Sequence, residues 1–110
     1  MEYQATAKYL RISTRKVRIL ADQIRTMKPE NAMHAIKAMP NHAGKFLFDV
    51  ITSAIANAKQ KNADIQVLRF KTIEVMGASF IKRMRAVSRG QGHAYKKRMT
   101  HIRVILSDER

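Results

Sequence analysis

FIKRMRAVSRGQGHAYKKR, residues 80–98, carries seven Lys or Arg and no acid. It lies between two stretches that read as strands, VLRFKTIEVM at 67–76 and THIRVILS at 100–107. In the second, Ile102, Val104 and Leu106 alternate cleanly on one face. In the first, Leu68 and Phe70 share one parity while Ile73 and Val75 share the other, which predicts a β-bulge near Lys71 or Thr72. Two strands that can pair are thus joined by residues 77–99, whereas a hairpin loop usually has roughly 2 to 5 residues. Phe80, Ile81, Met84, Ala86, Val87 and Tyr95 interleave with Lys82, Arg83, Arg85, Arg89 and Lys96, and Gly90 and Gly92 lie together near the middle. Two arms folded back at RGQG make an extended β-ribbon. With about ten residues per arm at roughly 3.3 Å each, it reaches on the order of 30 Å beyond the sheet. A two-stranded ribbon is marginal in water, and like charges weaken it further, so it needs phosphates or another polyanion around it. The alternative is a disordered basic loop without a dedicated role.

Upstream, residues 3–9, YQATAKY, alternate loosely as a short edge strand. From Ser13, a natural N-cap, the pattern turns helical, with Val17, Leu20, Ala21 and Ile24 on one stripe over residues 14–25. Arg15 and Lys16 occupy the first turn of that helix, where its dipole opposes each cation by roughly 0.3–1 kcal/mol and a bound phosphate would reverse the sign. Arg18 is spaced to pair with Asp22 at i+4. Pro29 opens a short helix over 29–39 with Ala32, Ile36 and Met39 inward and Pro40 closing it. Asn41 then caps a longer helix to about residue 62, with Leu47, Val50, Ile51, Ala54, Ile55 and Ala58 as the centre of the core. Strand, three helices, strand, basic stretch, strand predicts an α+β fold: a small antiparallel three-stranded sheet packed on three helices, with a long protruding β-hairpin. Residues 1–110 are expected to form one globular domain, with the basic hairpin at about 77–99.

Composition agrees with one modest core, since the chain has 110 residues and is 45% hydrophobic. Lys and Arg number 22 against 8 Asp and Glu, a formal charge of +14. Such a chain needs a polyanion: nucleic acid, an anionic membrane surface or an acidic protein. No acid occurs from Val75 through Ser107. Without Cys there is no disulfide or thiolate metal site. The opening MEYQATAKYLR has no apolar signal core, and no run nears the roughly 18 apolar residues of a membrane span, so an intracellular soluble protein is expected. The cations lie on a ribbon rather than on one face of an amphipathic helix, which disfavours a membrane surface.

Chemistry at a catalytic site is not signalled. His34, His42, His93 and His101 lack the spacing of a zinc site, and no metal or cofactor is expected. His34 and His42 are expected on solvated helix surfaces, whereas His93 and His101 sit among cations and could stack on bases or bond phosphates. RGQG lacks the Lys and Ser or Thr of a phosphate-binding loop. A ribonuclease using His93, His101 and Lys96 or Lys97 is conceivable, but nothing in the spacing favours it. A DNA-binding architectural protein with a basic β-ribbon arm is the stronger alternative, although VSRGQGH carries no large apolar wedge at the tip.

Three stretches resemble the bacterial large-subunit ribosomal protein family conventionally numbered twenty-two. LRISTRKVRILADQIR resembles its basic first helix, ITSAIANAKQ its long helix, and KRMRAVSRGQGHAYKKRMTHIRVIL its C-terminal signature. Ser88, Arg89, Gly90 and Gln91 fit that signature, as do His101, Ile102, Val104 and Leu106; Val87 and Ala86 depart from the usual Arg and the proline before it. The resemblance implies a cytoplasmic, non-enzymatic constituent of the large ribosomal subunit, binding large-subunit (23S) RNA in early assembly and lining the nascent-chain exit tunnel with its hairpin. The implied partners are that RNA, neighbouring large-subunit proteins and the nascent polypeptide, with no membrane and the chain monomeric within the ribosome. The expected RNA-binding set is Lys8, Arg11, Ser13, Arg15, Lys16, Arg18, Lys82, Arg83, Arg85, Arg89, His93, Lys96, Lys97, Arg98 and His101. Val87, Ser88, Arg89, Gly90, Gln91 and Gly92 are the expected tunnel tip.

Overall fold

The computed structural model describes residues 1–39 and 41–108. The elements run β1 (Glu2–Leu10), α1 (Thr14–Ile24), α2 (Pro29–Ala38), α3 (His42–Gln60), a 3-10 turn at Ile65–Val67, β2 (Arg69–Gly77), β3 (Ile81–Ala86), a second 3-10 turn at Ser88–Gly90, β4 (Gly92–Lys97) and β5 (Thr100–Ser107). The strands form two antiparallel sheets, one in the order β1-β5-β2 and the other pairing β3 with β4. The α+β class and the three-stranded sheet on three helices are therefore as the sequence pattern indicates.

The apolar stripes read from the sequence are the buried ones. Val17, Leu20, Ala21 and Ile24 line the inner face of α1, and α3 buries Leu47, Val50, Ile51, Ala54, Ile55 and Ala58 along its length. Helix α3 meets Ile102, Val104 and Leu106 of the central strand, all fully buried, while α1 packs against α3 and β2. At the α2–α3 crossing, a Cβ on Gly44 would stand 3.0 Å from Ile36 Cγ2, so glycine permits the close approach. Helix α2 ends at Ala38, with Met39 extended and its N–H bonded to the Ile36 carbonyl; the expected stop at Pro40 lies outside the described residues.

Two irregularities shape the sheet. Phe70 faces Leu106 while Thr72 faces Ile105, which makes Lys71 the extra residue where the sequence parity slips. The second was not visible in the pattern: Ala7 faces Ile102 and Leu10 faces Thr100, so Lys8 and Tyr9 together oppose His101. Strand β2 lies at the sheet's edge, and α1 covers that edge. Arg18 Nη2 donates to the Val75 carbonyl and Arg25 Nη2 to the Ile73 carbonyl, both at 3.1 Å. Only Glu74 separates the two carbonyls and about two helical turns separate the arginines, so two carbonyls on the covered edge strand find donors on α1. The expected Arg18–Asp22 pair is accordingly replaced, since Asp22 lies 3.4 Å from Arg25 instead.

The radius of gyration is 17.0 Å, against about 13 Å for a compact chain of this length, and the long axis of 62 Å compares with 24 and 19 Å across. The elongation comes from β3 and β4. Their ladder is shorter than expected: six pairs from Ile81↔Lys97 to Ala86↔Gly92, or about 20 Å at the usual rise, rather than ten residues per arm. Below it the arms separate from the main sheet, held by a bond from Ala78 N–H to the Met99 carbonyl at 3.0 Å.

Candidate nucleic-acid interface

Strict alternation gives the ribbon two faces. Arg83, Arg85, His93, Tyr95 and Lys97 share one; Lys82, Met84, Ala86, Gly92, Ala94 and Lys96 share the other. Nearly all of these side chains are exposed, Met84 at 75%. Lys82 and Lys96 stand directly opposite, a pairing that costs strand stability. Cation–π contacts offset part of it. The Phe80 ring lies 5.9 Å from Lys82 Nζ and 4.5 Å from Lys96 Nζ, and Arg85 lies 5.9 Å from the Tyr95 ring. At the tip the chain reverses through Val87–Gln91, closed by Val87 N–H to the Gln91 carbonyl at 2.9 Å. Arg89 and Gly90 there have φ of 63° and 71°, left-handed values that glycine adopts without cost.

At the root of the ribbon, Lys96 and Arg98 meet the starts of two helices. They line a groove of about 710 Å³ with Arg11, Ile12, Ser13, Lys16, Ile19, Leu20, Gln23, Asn41, His42 and Ala43. Ser13 and Asn41 occupy the N-cap positions of α1 and α3, yet neither side chain makes a capping hydrogen bond. No acid lies in either first turn. The groove therefore gathers four cations and two helix N-termini whose partial positive charge no side chain of their own first turns neutralises. Thr100 fixes the geometry beneath. Its buried hydroxyl donates to the Ile12 carbonyl at 2.6 Å and so accepts from Thr14 Oγ1 at 3.2 Å.

The expected set is thus divided. Arg11, Ser13, Lys16, Lys96 and Arg98 come together in the groove, with exposed Arg15 one residue from Lys16. Lys82, Arg83, Arg85, Arg89, His93 and Lys97 extend along the ribbon. Arg18 gives one nitrogen to the sheet edge. Lys8 sits in the bulge of β1, opposite His101, whose Nδ1 accepts the Tyr9 N–H at 3.1 Å. Sequence reasoning did not pick out Gln23, Asn41 or His42 for the groove; only the joint approach of α1 and α3 to the ribbon reveals them. His42 is exposed, as expected of a helix surface, with its ring edge-on to Phe46 at 5.0 Å.

The opposite end of the sheet is bound differently. Asp108 Oδ1 lies 2.9 Å from the N-terminal ammonium, and Tyr3 donates its hydroxyl to Asp108 Oδ2 at 3.3 Å. The ammonium's hydrogen bond holds the Asp108 carboxyl below the usual range, while lost hydration and the carboxylate push the Tyr3 phenol up. Among the described residues no group of three or more His, Asp or Glu is placed to hold a metal ion. No described helix is long and apolar enough to cross a membrane.

Residues 5–107 match a protein family described as ribosomal protein L22p/L17e. The chain is 41% identical over 110 residues to the large ribosomal subunit protein uL22 of Syntrophus aciditrophicus, spanning 99% of this chain and all of that one. It is 38% identical to the protein of the same name from Desulfotalea psychrophila, over 98% and 99% of the two chains. For the uL22 protein of Desulfosudis oleivorans the identity is 35%, over 98% and 95%.

Proposed function

The chain belongs to the ribosomal protein L22p/L17e family, structural and non-catalytic constituents of the large ribosomal subunit, and from that premise we propose that it grips large-subunit RNA through the groove and threads its ribbon into that RNA. The observation that carries the reading is the ribbon itself, a strand pair with almost every residue exposed and no acid from Val75 to Ser107. A stable fold does not project such an element into water for its own sake; phosphates supply the missing burial and counter-charge. Family membership sets the ribonuclease reading aside and supports ribosomal RNA over DNA as the polyanion. The protein works in the cytoplasm, inside the large subunit of a bacterial-type ribosome.

Arg11, Lys16, Lys96 and Arg98 anchor the globular part on phosphates, with the two uncapped helix starts adding backbone donors. Arg83, Arg85, His93 and Lys97 follow the RNA along one ribbon face, and Arg15, Lys8 and His101 extend the footprint. Binding of this kind early in assembly orders the ribbon, and the tip at Val87–Gly92 then borders the tunnel through which the nascent polypeptide leaves. Neighbouring large-subunit proteins complete its surroundings, with one copy per subunit.

Two variants test this division. Converting Arg11, Lys16, Lys96 and Arg98 to Gln removes the anchor. Replacing Val87–Gln91 by Asn-Gly keeps Ala86 opposite Gly92 and closes the ribbon with a tight turn. Quantitative mass spectrometry of sedimented subunits should find the first variant depleted and the second near wild-type occupancy, with its effect confined to nascent-chain passage. Full occupancy by the first and loss of the second would reverse the assignment.

A further inference from the structure

Tyr9 is out of keeping with the rest of β1. Tyr3, Ala5 and Ala7 point toward the core, and unbroken alternation would put Tyr9 there too, opposite Thr100. The bulge inserts one residue, gives Leu10 the place opposite Thr100 and turns Tyr9 onto the sheet face that no helix covers. Tyr9 is 58% exposed and has φ of 57°, a left-handed backbone that is a genuine outlier for a bulky residue. Such a conformation persists only where its surroundings enforce it. Here His101 does so, accepting the Tyr9 N–H at Nδ1 and setting its ring edge-on to the phenol at 4.7 Å and 84°. With Nδ1 accepting, the imidazole carries its proton on Nε2 and offers a donor beside the ring. Met76, 37% exposed, faces His101 from β2, and exposed Lys8 shares the bulge. A strip with an aromatic face, a thioether, a ring N–H and a cation therefore crosses the open sheet at the end from which the ribbon leaves.

We propose that Tyr9 is a stacking platform for one unpaired base of the bound RNA. The inference rests on the RNA-binding reading above and extends it from phosphates to a base. The neighbours favour a nucleotide as the occupant. Tyr9 presents a flat π surface that tolerates any base, Lys8 supplies the charge for its phosphate, and the His101 Nε2–H can donate to a base edge or ribose oxygen. Strain held in the free protein keeps the ring presented and lowers the ordering cost at binding.

The backbone makes the test decisive, because glycine and asparagine accept a left-handed conformation readily whereas tyrosine holds it only under strain. Tyr9→Gly, Tyr9→Asn and Tyr9→Phe are compared with wild type in full-length protein, by melting temperature and by affinity for transcribed 23S RNA at fixed salt. Tyr9→Gly and Tyr9→Asn should melt no lower than wild type yet bind roughly 5- to 150-fold more weakly, the range of one base–aromatic stack. Tyr9→Phe should retain the affinity. Wild-type affinity in the glycine and asparagine variants overturns the proposal, and so does a parallel fall in melting temperature, which would assign the ring to the fold. Unchanged RNA affinity with reduced occupancy in assembled subunits would give Tyr9 to a neighbouring protein instead. If wild type itself fails to bind the RNA, the functional reading falls and takes this inference with it.

Discussion

Between Lys97 and Thr100 the chain passes from a strand whose six residues are all exposed to one in which none is. Both β4 and β5 pair antiparallel, β4 in unbroken register with β3 and β5 with a bulge in each of its two partners. What separates them is their neighbours. Strand β5 has a partner on each side and α3 beneath it, whereas β4 has β3 alone. A ladder hydrogen bond contributes only about 0.5–1.5 kcal/mol net of water and both strands have such bonds, so what sets β5 apart is the side chains it buries. Strand β4 buries none. On the proposed reading its order comes from outside the protein, and the acid-free sequence sets the sign of charge the outside must have.

The largest effect that could break this comparison is that of salt. If the groove and ribbon together neutralise about 6 to 10 phosphates, affinity for 23S RNA should fall by roughly 10³ to 10⁵ between 50 and 200 mM salt, by analogy with duplex DNA. Filter binding across that range measures the slope, and the melting temperature of the free protein should barely move. A flat affinity would remove the electrostatic basis of the account.

Next in size is a matched pair of truncations. Ile102→Ala on the core face of β5 should cost about 2–5 kcal/mol in urea unfolding, because Ile102 is fully buried. Met84→Ala on β3 should stay within about 0.5 kcal/mol. Equal losses would mean that the ribbon is part of the cooperative fold. Thr100→Val probes the join between the two regions. It strands the Ile12 carbonyl and the Thr14 hydroxyl, at a cost of about 1–3 kcal/mol. Its RNA affinity should drop as well, since the groove loses its fixed floor.

The smallest effect belongs to the far end of the sheet. The Asp108 carboxyl titrates lower in the folded chain than when unfolded, so its contribution is complete above an ordinary carboxyl pKa of about 4. It is lost as pH falls through the lowered folded value. Asp108→Asn should therefore melt slightly below wild type at neutral pH, and the two curves should converge in acid. A constant difference down to pH 2 would show that charge is not the cause.

Much of this was legible before any coordinates. The stripes of α1 and α3 follow from spacing alone, and the parity slip between Phe70 and Ile73 located the Lys71 bulge because both flanking pairs are large and apolar. The bulge at Lys8 and Tyr9 left no such trace: Ala5 and Ala7 are too small to declare a face. Arg18 was read with Asp22 because i+4 neighbours are all a helix shows by itself, and its acceptor on β2 is 57 residues away in sequence. The groove was illegible for the same reason. Its cations come from the β1–α1 junction, from α1 and from the ribbon root, and only the fold brings the start of α3 beside them.

Hydrogen exchange of individual amides, measured in the free protein and again with 23S RNA bound, shows whether β4 takes its order from the RNA. In the free protein, β5 amides from Ile102 to Leu106 should exchange only through global unfolding, while β4 amides from His93 to Lys97 exchange close to the unprotected rate. Adding RNA should slow β4 by orders of magnitude and leave β5 as it was. Protection of β4 equal to that of β5 in the free protein, or no change in β4 on binding, would contradict the account.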